Sequence, residues 1–123
     1  TLDDFNQALK EQLLELHISK EHPLDQSLVN GTQTIDDLFA DPEGPIAQLQ
    51  ECFDEQMHRF LEQLPSDPGH PTLARNFRSF TCTGAWSVLL RSTGFHRNHY
   101  HSAGWYSGPY YVELPEAIQD EEN

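Results

Sequence analysis

Gly94-Phe-His-Arg-Asn-His-Tyr-His-Ser-Ala-Gly-Trp-Tyr-Ser-Gly-Pro-Tyr-Tyr-Val-Glu-Leu-Pro115 is the stretch on which the reading of this chain turns. His96, His99 and His101 place three of the seven histidines within six residues. Tyr100, Trp105, Tyr106, Tyr110 and Tyr111 crowd the same run, and aromatic side chains at that density favour strands. Residues two apart on a strand share a face, so His99 and His101 project side by side. Two neutral imidazoles on one rigid face make half of a divalent transition-metal site; a catalytic metal normally takes a third protein ligand. Without a metal, the same pair would be half-exposed strand histidines bonded to their neighbours. His96 has the opposite strand parity and is expected to face elsewhere, as a surface residue, unless a bulge intervenes.

Working outward, the rest of the chain divides into a helical front and a strand-rich back. Leu2, Phe5, Leu9, Leu13 and Leu16 recur at three- and four-residue steps, which predicts an amphipathic helix over Leu2–Ser19. His22-Pro23 bars its continuation, because the residue before proline is pushed out of the helical region. A second helix is predicted over Gly44–Leu64, with Pro45 suited to its first turn. Its apolar stripe is Ile46, Leu49, Phe53, Met57, Phe60, Leu61 and Leu64, read as core. Between the helices, Asn30-Gly31 signals a turn and Thr32 to Ile35 a short strand, one that lines a cleft or lies at an edge. Pro65 to Pro71 is an irregular connection. Strands are predicted over Ser79–Leu90, Phe95–His101 and Tyr106–Leu114, with turns at Ser92–Gly94 and Ser102–Gly104. Short links between successive strands favour an antiparallel sheet or barrel. Trp86 and Phe95 read as core, Arg91 and Arg97 as solvated strand-end residues.

Composition sets the outer limits. A chain of 123 residues fits one small domain with a modest core. A formal charge of −13 with seven Lys and Arg excludes nucleic acid as the natural partner, since neutralising phosphates takes clustered cations. No apolar run approaches a membrane span and no signal segment opens the chain, so it reads as a soluble, cytoplasmic protein. Opening on Thr1, it reads as an excised or processed segment. Cys52 and Cys82 have neither zinc nor thioredoxin spacing and are expected to be reduced, partly buried thiols. His17, His22, His58 and His70 are given no chemistry. The residues after Pro115 are acidic and expected to fray.

Four ordered motifs carry a family resemblance. Gly84-Ala-Trp-Ser-Val-Leu-Leu-Arg91, Gly94-Phe-His-x-x-His-x-His, Gly104-Trp-x-Ser and Tyr110-Tyr-Val-x-Leu-Pro115 together resemble the 2-oxoglutarate/Fe(II)-dependent oxygenases that in bacteria often follow tetratricopeptide repeats. Phe5-Asn6, Leu16-His17, His22-Pro-Leu-Asp-Gln-Ser-Leu28 and Gly31-Thr-Gln-Thr34 resemble the same group. The resemblance implies an α+β fold in which N-terminal helices pack on one side of a double-stranded β-helix, or jelly roll, of antiparallel strands. Residues 1–123 would form a single domain, mainly helical over 1–64, with the first jelly-roll strands over 77–115. It implies Fe(II) and 2-oxoglutarate as cofactors, with His99 as the first metal ligand. His101 falls at the second, where most such oxygenases hold a carboxylate. Tyr111, if it faces inward, could hydrogen-bond the cosubstrate carboxylate; otherwise it is a packed ring. The distal histidine and the arginine that pairs with 2-oxoglutarate belong to the second half of such a barrel, so the chain reads as the front half of the domain, inactive as it stands.

The activity so implied is C–H hydroxylation of a small molecule or a protein side chain, coupled to oxidative decarboxylation of 2-oxoglutarate. Two further readings remain beside it: a non-catalytic jelly-roll interaction module, and a cupin-like metal-binding protein that does not use 2-oxoglutarate. A half barrel would expose strand edges, which predicts a homodimer sealed through them.

Overall fold

The computed structural model describes residues 1–19, 28–34, 36–96 and 104–114. Helix α1 spans Leu2–Ser19, strand β1 Leu28–Gln33, helix α2 Gly44–Gln63 and strand β2 Val88–His96, with a 3₁₀ turn over Leu73–Arg75 between α2 and β2. The described residues thus combine helices with one two-stranded antiparallel sheet, in keeping with the expected α+β class.

The helices form where the 3.6-residue period placed them, and their ends show why they stop. Thr1 Oγ1 accepts the Asp4 N–H at 3.1 Å, and Asp3 and Asp4 sit favourably at the positive end of the α1 dipole. At the start of α2, Glu43 contributes no side-chain cap. Gln12 of α1 supplies it instead: its Oε1 accepts the Ile46 N–H at 3.1 Å and its Nε2 donates to the Glu43 carbonyl at 2.9 Å. One side chain therefore satisfies the otherwise unpaired Ile46 N–H of the neighbouring helix and, through Glu43, ties the two helices together at that end.

Between them lies the core. Leu9, Leu13, Ile46 and Leu49 are buried together, with Phe5, Leu16, Leu38, Phe39 and Val112 packed against them. The stripe expected on α2 is buried only in part. Ile46, Leu49 and Leu61 are inside, whereas Phe53 and Phe60 are exposed. Phe53 meets Phe39 and Tyr110 edge-on at 6.0 and 5.9 Å, and Phe60 meets Tyr106 at 5.3 Å. These rings hold the surface of α2 rather than its core. Trp86, expected inside, is also exposed. So are Cys52 and Cys82, which corrects the expectation of partly buried thiols.

The strands depart from expectation in register and extent. Pairing runs Leu28↔His96 and Val29↔Phe95, then resumes at Gly31↔Leu90, Thr32↔Leu89 and Gln33↔Val88. Between the two sets the pairing advances two residues on β1 and five on β2. Asn30-Gly31 and Ser92-Thr93-Gly94, both read as turns, lie at this break inside continuous strands. Residues that permit a turn also permit a bulge, and here a register shift is what they provide. Gly31 is required there, because a Cβ at this position would sit 2.5 Å from the Leu89 carbonyl oxygen.

Upstream of β2 the expected strand Ser79–Leu90 is irregular as far as Ser87. Residues 85–87 still run beside Thr34 and residues 36–38, but side chains take part in the ladder. Thr34 N–H donates to the Ser87 carbonyl while Ser87 N–H donates to Thr34 Oγ1, both at 3.0 Å. Leu38 N–H donates to the Ala85 carbonyl at 2.9 Å, and Asp37 Oδ1 accepts from both Ala85 N–H and Phe39 N–H. Side-chain oxygens that replace carbonyls divert the backbone from regular pairing.

Residues 104–114, expected to hold a strand over Tyr106–Leu114, are irregular throughout. Their side chains are anchored on the helices: Tyr110 Oη donates to Asn6 Oδ1 at 2.6 Å, Glu113 pairs with Lys10 at 2.9 Å, and Val112 reaches the core. Trp105 meets Tyr106 at 4.7 Å with the rings tilted by 48°, and the Arg75 guanidinium lies over the Trp105 ring, 5.7 Å from its centre. Among the described residues, no helix is long and apolar enough to cross a membrane.

Candidate functional site

β2 is the element that leads into the histidine run. It ends at His96, paired with Leu28 at the start of β1, and His99 follows three positions later. His99 and His101 themselves lie outside the described residues, as do Arg97 and the side chains of Arg91 and His96. Among the described residues, no group of three or more His, Cys, Asp or Glu side chains is placed to hold a metal ion. Tyr111 is 68 % exposed and belongs to an irregular segment, so strand parity does not set its direction. Its neighbour Tyr110 is committed to Asn6.

The other histidines separate into distinct roles. His70 Nδ1 accepts the Thr72 and Leu73 N–H groups, each at 3.1 Å, and so caps the 3₁₀ turn. The His58 ring packs on Phe80 at 5.0 Å in an open cleft of about 330 Å³ between α2 and residues 80–82, with Asp54 and Cys82 also in its wall.

His17 does most. From the last turn of α1, its Nδ1 lies 2.8 Å from Thr32 Oγ1 on β1 and its Nε2 lies 2.9 Å from Ser87 Oγ, one residue before β2. The partners lie 15 and 70 positions from His17, too far for a local spacing to pair them. Each of the three residues stands in a motif of the family resemblance, which marked them separately without joining them.

Burial lowers the pKa of His17 below the ordinary imidazole value. The unfolded chain therefore takes up a proton on this residue at a pH where the folded chain does not. The stability that follows is complete above about pH 6.5 and declines as the pH falls below it, until the folded imidazole protonates too. The urea midpoint of the wild-type chain should accordingly fall more steeply on acidification from about pH 7 than that of His17→Gln, whose amide does not titrate. Parallel profiles for the two proteins would refute the assignment.

What feeds out of this junction is also where the chain resembles known proteins. Residues 84–123 match the model of a family described as Putative 2OG-Fe(II) oxygenase. The matched stretch opens at Gly84, contains all of β2 and includes the run from His96 to His101. It also takes in Trp105, Tyr110 and Tyr111. Helices α1 and α2 precede it, as do the motifs upstream of Gly84 that resemble the same oxygenases. No curated protein and no solved structure matches the chain. The oxygenase family implies Fe(II) and 2-oxoglutarate, so the test of fit falls on the donors. Neutral imidazoles at i and i+2 suit Fe(II). His99 and His101 lie outside the described residues, among which no three such donors are gathered.

Proposed function

We propose that residues 84–123 carry the opening part of the iron site of an Fe(II)/2-oxoglutarate-dependent oxygenase domain of the jelly-roll type. The observation that carries this reading is the match of that stretch to the oxygenase family over the span that holds the histidine pair. His99 is the first iron ligand and His101 the second, each through one neutral ring nitrogen. The other nitrogen of each ring must be held by a carbonyl, a carboxylate or water to set the tautomer and aim the ring. Tyr111 is the candidate to meet the carboxylate of 2-oxoglutarate. The bound cofactors supply the O2 chemistry, and the chain's part is to hold and orient them and to exclude water. The substrate class is a small molecule or a protein side chain with an accessible C–H bond.

The test is metal binding by the chain, with Co(II) as a spectroscopically visible stand-in for Fe(II). His99→Ala should weaken Co(II) binding by about tenfold or more, the loss expected when a donor is removed from a nitrogen-ligated site. In a protein that carries the whole oxygenase domain, Fe(II)-dependent formation of succinate from 2-oxoglutarate should likewise depend on His99. Co(II) affinity of the chain, or succinate formation by the whole domain, that survives His99→Ala overturns the assignment.

A further inference from the structure

We propose that His17 is a positioning residue for the element that leads into the histidine run: it pins the β1–β2 ribbon to α1 and so fixes β2, the strand that precedes His99 and His101 in the sequence. The proposal rests on the iron-site reading above for its functional meaning, and on the geometry of the ribbon for its physical one.

A two-stranded antiparallel ribbon is marginal by itself and needs something to pack on. Val88, Leu89 and Leu90, the opening residues of β2, are 40 %, 43 % and 43 % exposed. The polar contacts of Thr34 and Asp37 with Ser87 and Ala85 tie the chain after β1 to the chain before β2, one ribbon segment to the other. His17 is different in kind. Its two ring nitrogens reach one hydroxyl from each segment, Thr32 Oγ1 and Ser87 Oγ, and so bind both to the end of α1.

The chemistry suits a pin. An imidazole is a rigid plate with nitrogens on two edges, and a neutral ring has one donor and one acceptor. Each hydroxyl can donate or accept, so either tautomer satisfies all four groups. Ser87 is further fixed through its own N–H and carbonyl, both bonded to Thr34. The next residue, Val88, pairs with Gln33 and begins β2. Leu38, which packs against the α1–α2 core and bonds to Ala85, also holds this segment on the helices, so releasing His17 would loosen β2 against the end of α1 without detaching it.

Hydrogen–deuterium exchange on the chain reads this directly. In His17→Phe, which keeps a ring but removes both nitrogens, amides of Val88–His96 should exchange about tenfold faster while those of α2 change less than about twofold. Co(II) affinity should fall by about tenfold in the same variant, an effect of the size seen when residues that orient ligands are removed. His17→Gln, which restores one donor and one acceptor, should recover most of both. Unchanged protection of β2 in His17→Phe overturns the pin, and so does a loss of protection spread equally over α2. Should His17→Phe fail to fold, Ser87→Ala leaves α1 untouched and must produce the same β2-selective loss, or the proposal fails. Failure of the iron reading shows elsewhere, as Co(II) affinity indifferent to His99→Ala.

Discussion

Leu9→Ala should unfold at a much lower urea concentration than the wild-type chain, with a loss of about 3 kcal/mol within the usual range of 2–5 for a buried leucine. Leu9 has no exposed surface, and it faces Leu13, Ile46 and Leu49 in the seam between α1 and α2. Truncation removes the transfer energy of the lost methyl-bearing carbons and leaves a cavity that the seam can close only in part. Gln12, bonded to Glu43 and Ile46, holds the two helices at a fixed separation one turn away. The collapse that would soften the loss is therefore restricted. The described residues bury only five large apolar side chains, so about 3 kcal/mol is a substantial share of a total that for a small domain is about 5–15. Leu2, on the same helix and 68 % exposed, is the control, and Leu2→Ala should cost within about 0.5 kcal/mol. If the two variants melted together, the α1–α2 seam would not be the core.

That seam was readable from the sequence because its signal is local. A helix buries residues three and four apart, so Leu2 to Leu16 announce α1 without reference to anything else, and its observed bounds are the expected ones. α2 ends at Gln63, one residue before its expected end. The strands were harder because their signal is conditional. Tyr106, Tyr110 and Tyr111 raise strand propensity wherever they occur, yet Tyr106 and Tyr110 are taken up by Phe60, Phe53 and Asn6 on the helices. Tertiary contacts of that kind override local preference. Asn30-Gly31 and Ser92–Gly94 read as turns but lie at a register shift inside β1 and β2, because one glycine signature serves for a reversal and for a bulge. Only the partner strand decides between them.

The site divides in the same way. His99 and His101 were conspicuous because their meaning lies in a two-residue spacing and in the words around them, and the family match spans that stretch. His17 stood in one of the resembling motifs, Leu16-His17, but no spacing tied it to a partner. Its role depends on Thr32 and Ser87 arriving from distant parts of the chain, and a lone histidine at a helix end is ordinary. Gln12 is the same case in structural form, since a cap contributed by another helix leaves no local pattern. The polar residues that organise this protein act at long range, and long-range polar pairing is what a sequence pattern does not carry.

Asn76 is a further instance, and Asn76→Ala is expected to cost about 2–4 kcal/mol, near the penalty for stranding several buried polar groups at once. Asn76 is 3 % exposed. Its Nδ2 donates to the Leu61 carbonyl at 3.2 Å and the Leu64 carbonyl at 2.9 Å, which would otherwise be unpaired at the end of α2. Its Oδ1 accepts the Arg78 N–H at 3.0 Å. Arg78 has a φ of 60°, a left-handed conformation that a residue with a Cβ adopts only when its surroundings hold it there. Alanine would thus free two carbonyls and an amide and release the strained turn that follows. Leu61, itself 1 % exposed, sits beside these groups, so water cannot readily replace the lost partner. Asn76→Asp separates the donor from the shape. At neutral pH it sets a carboxylate against two carbonyl oxygens and should be no more stable than the alanine variant. Once its carboxyl is protonated in acid it regains one donor, and the deficit relative to wild type at the same pH should shrink. A deficit that is small at neutral pH, or constant as the carboxyl titrates, would mean that the Nδ2 bonds do not hold the end of α2.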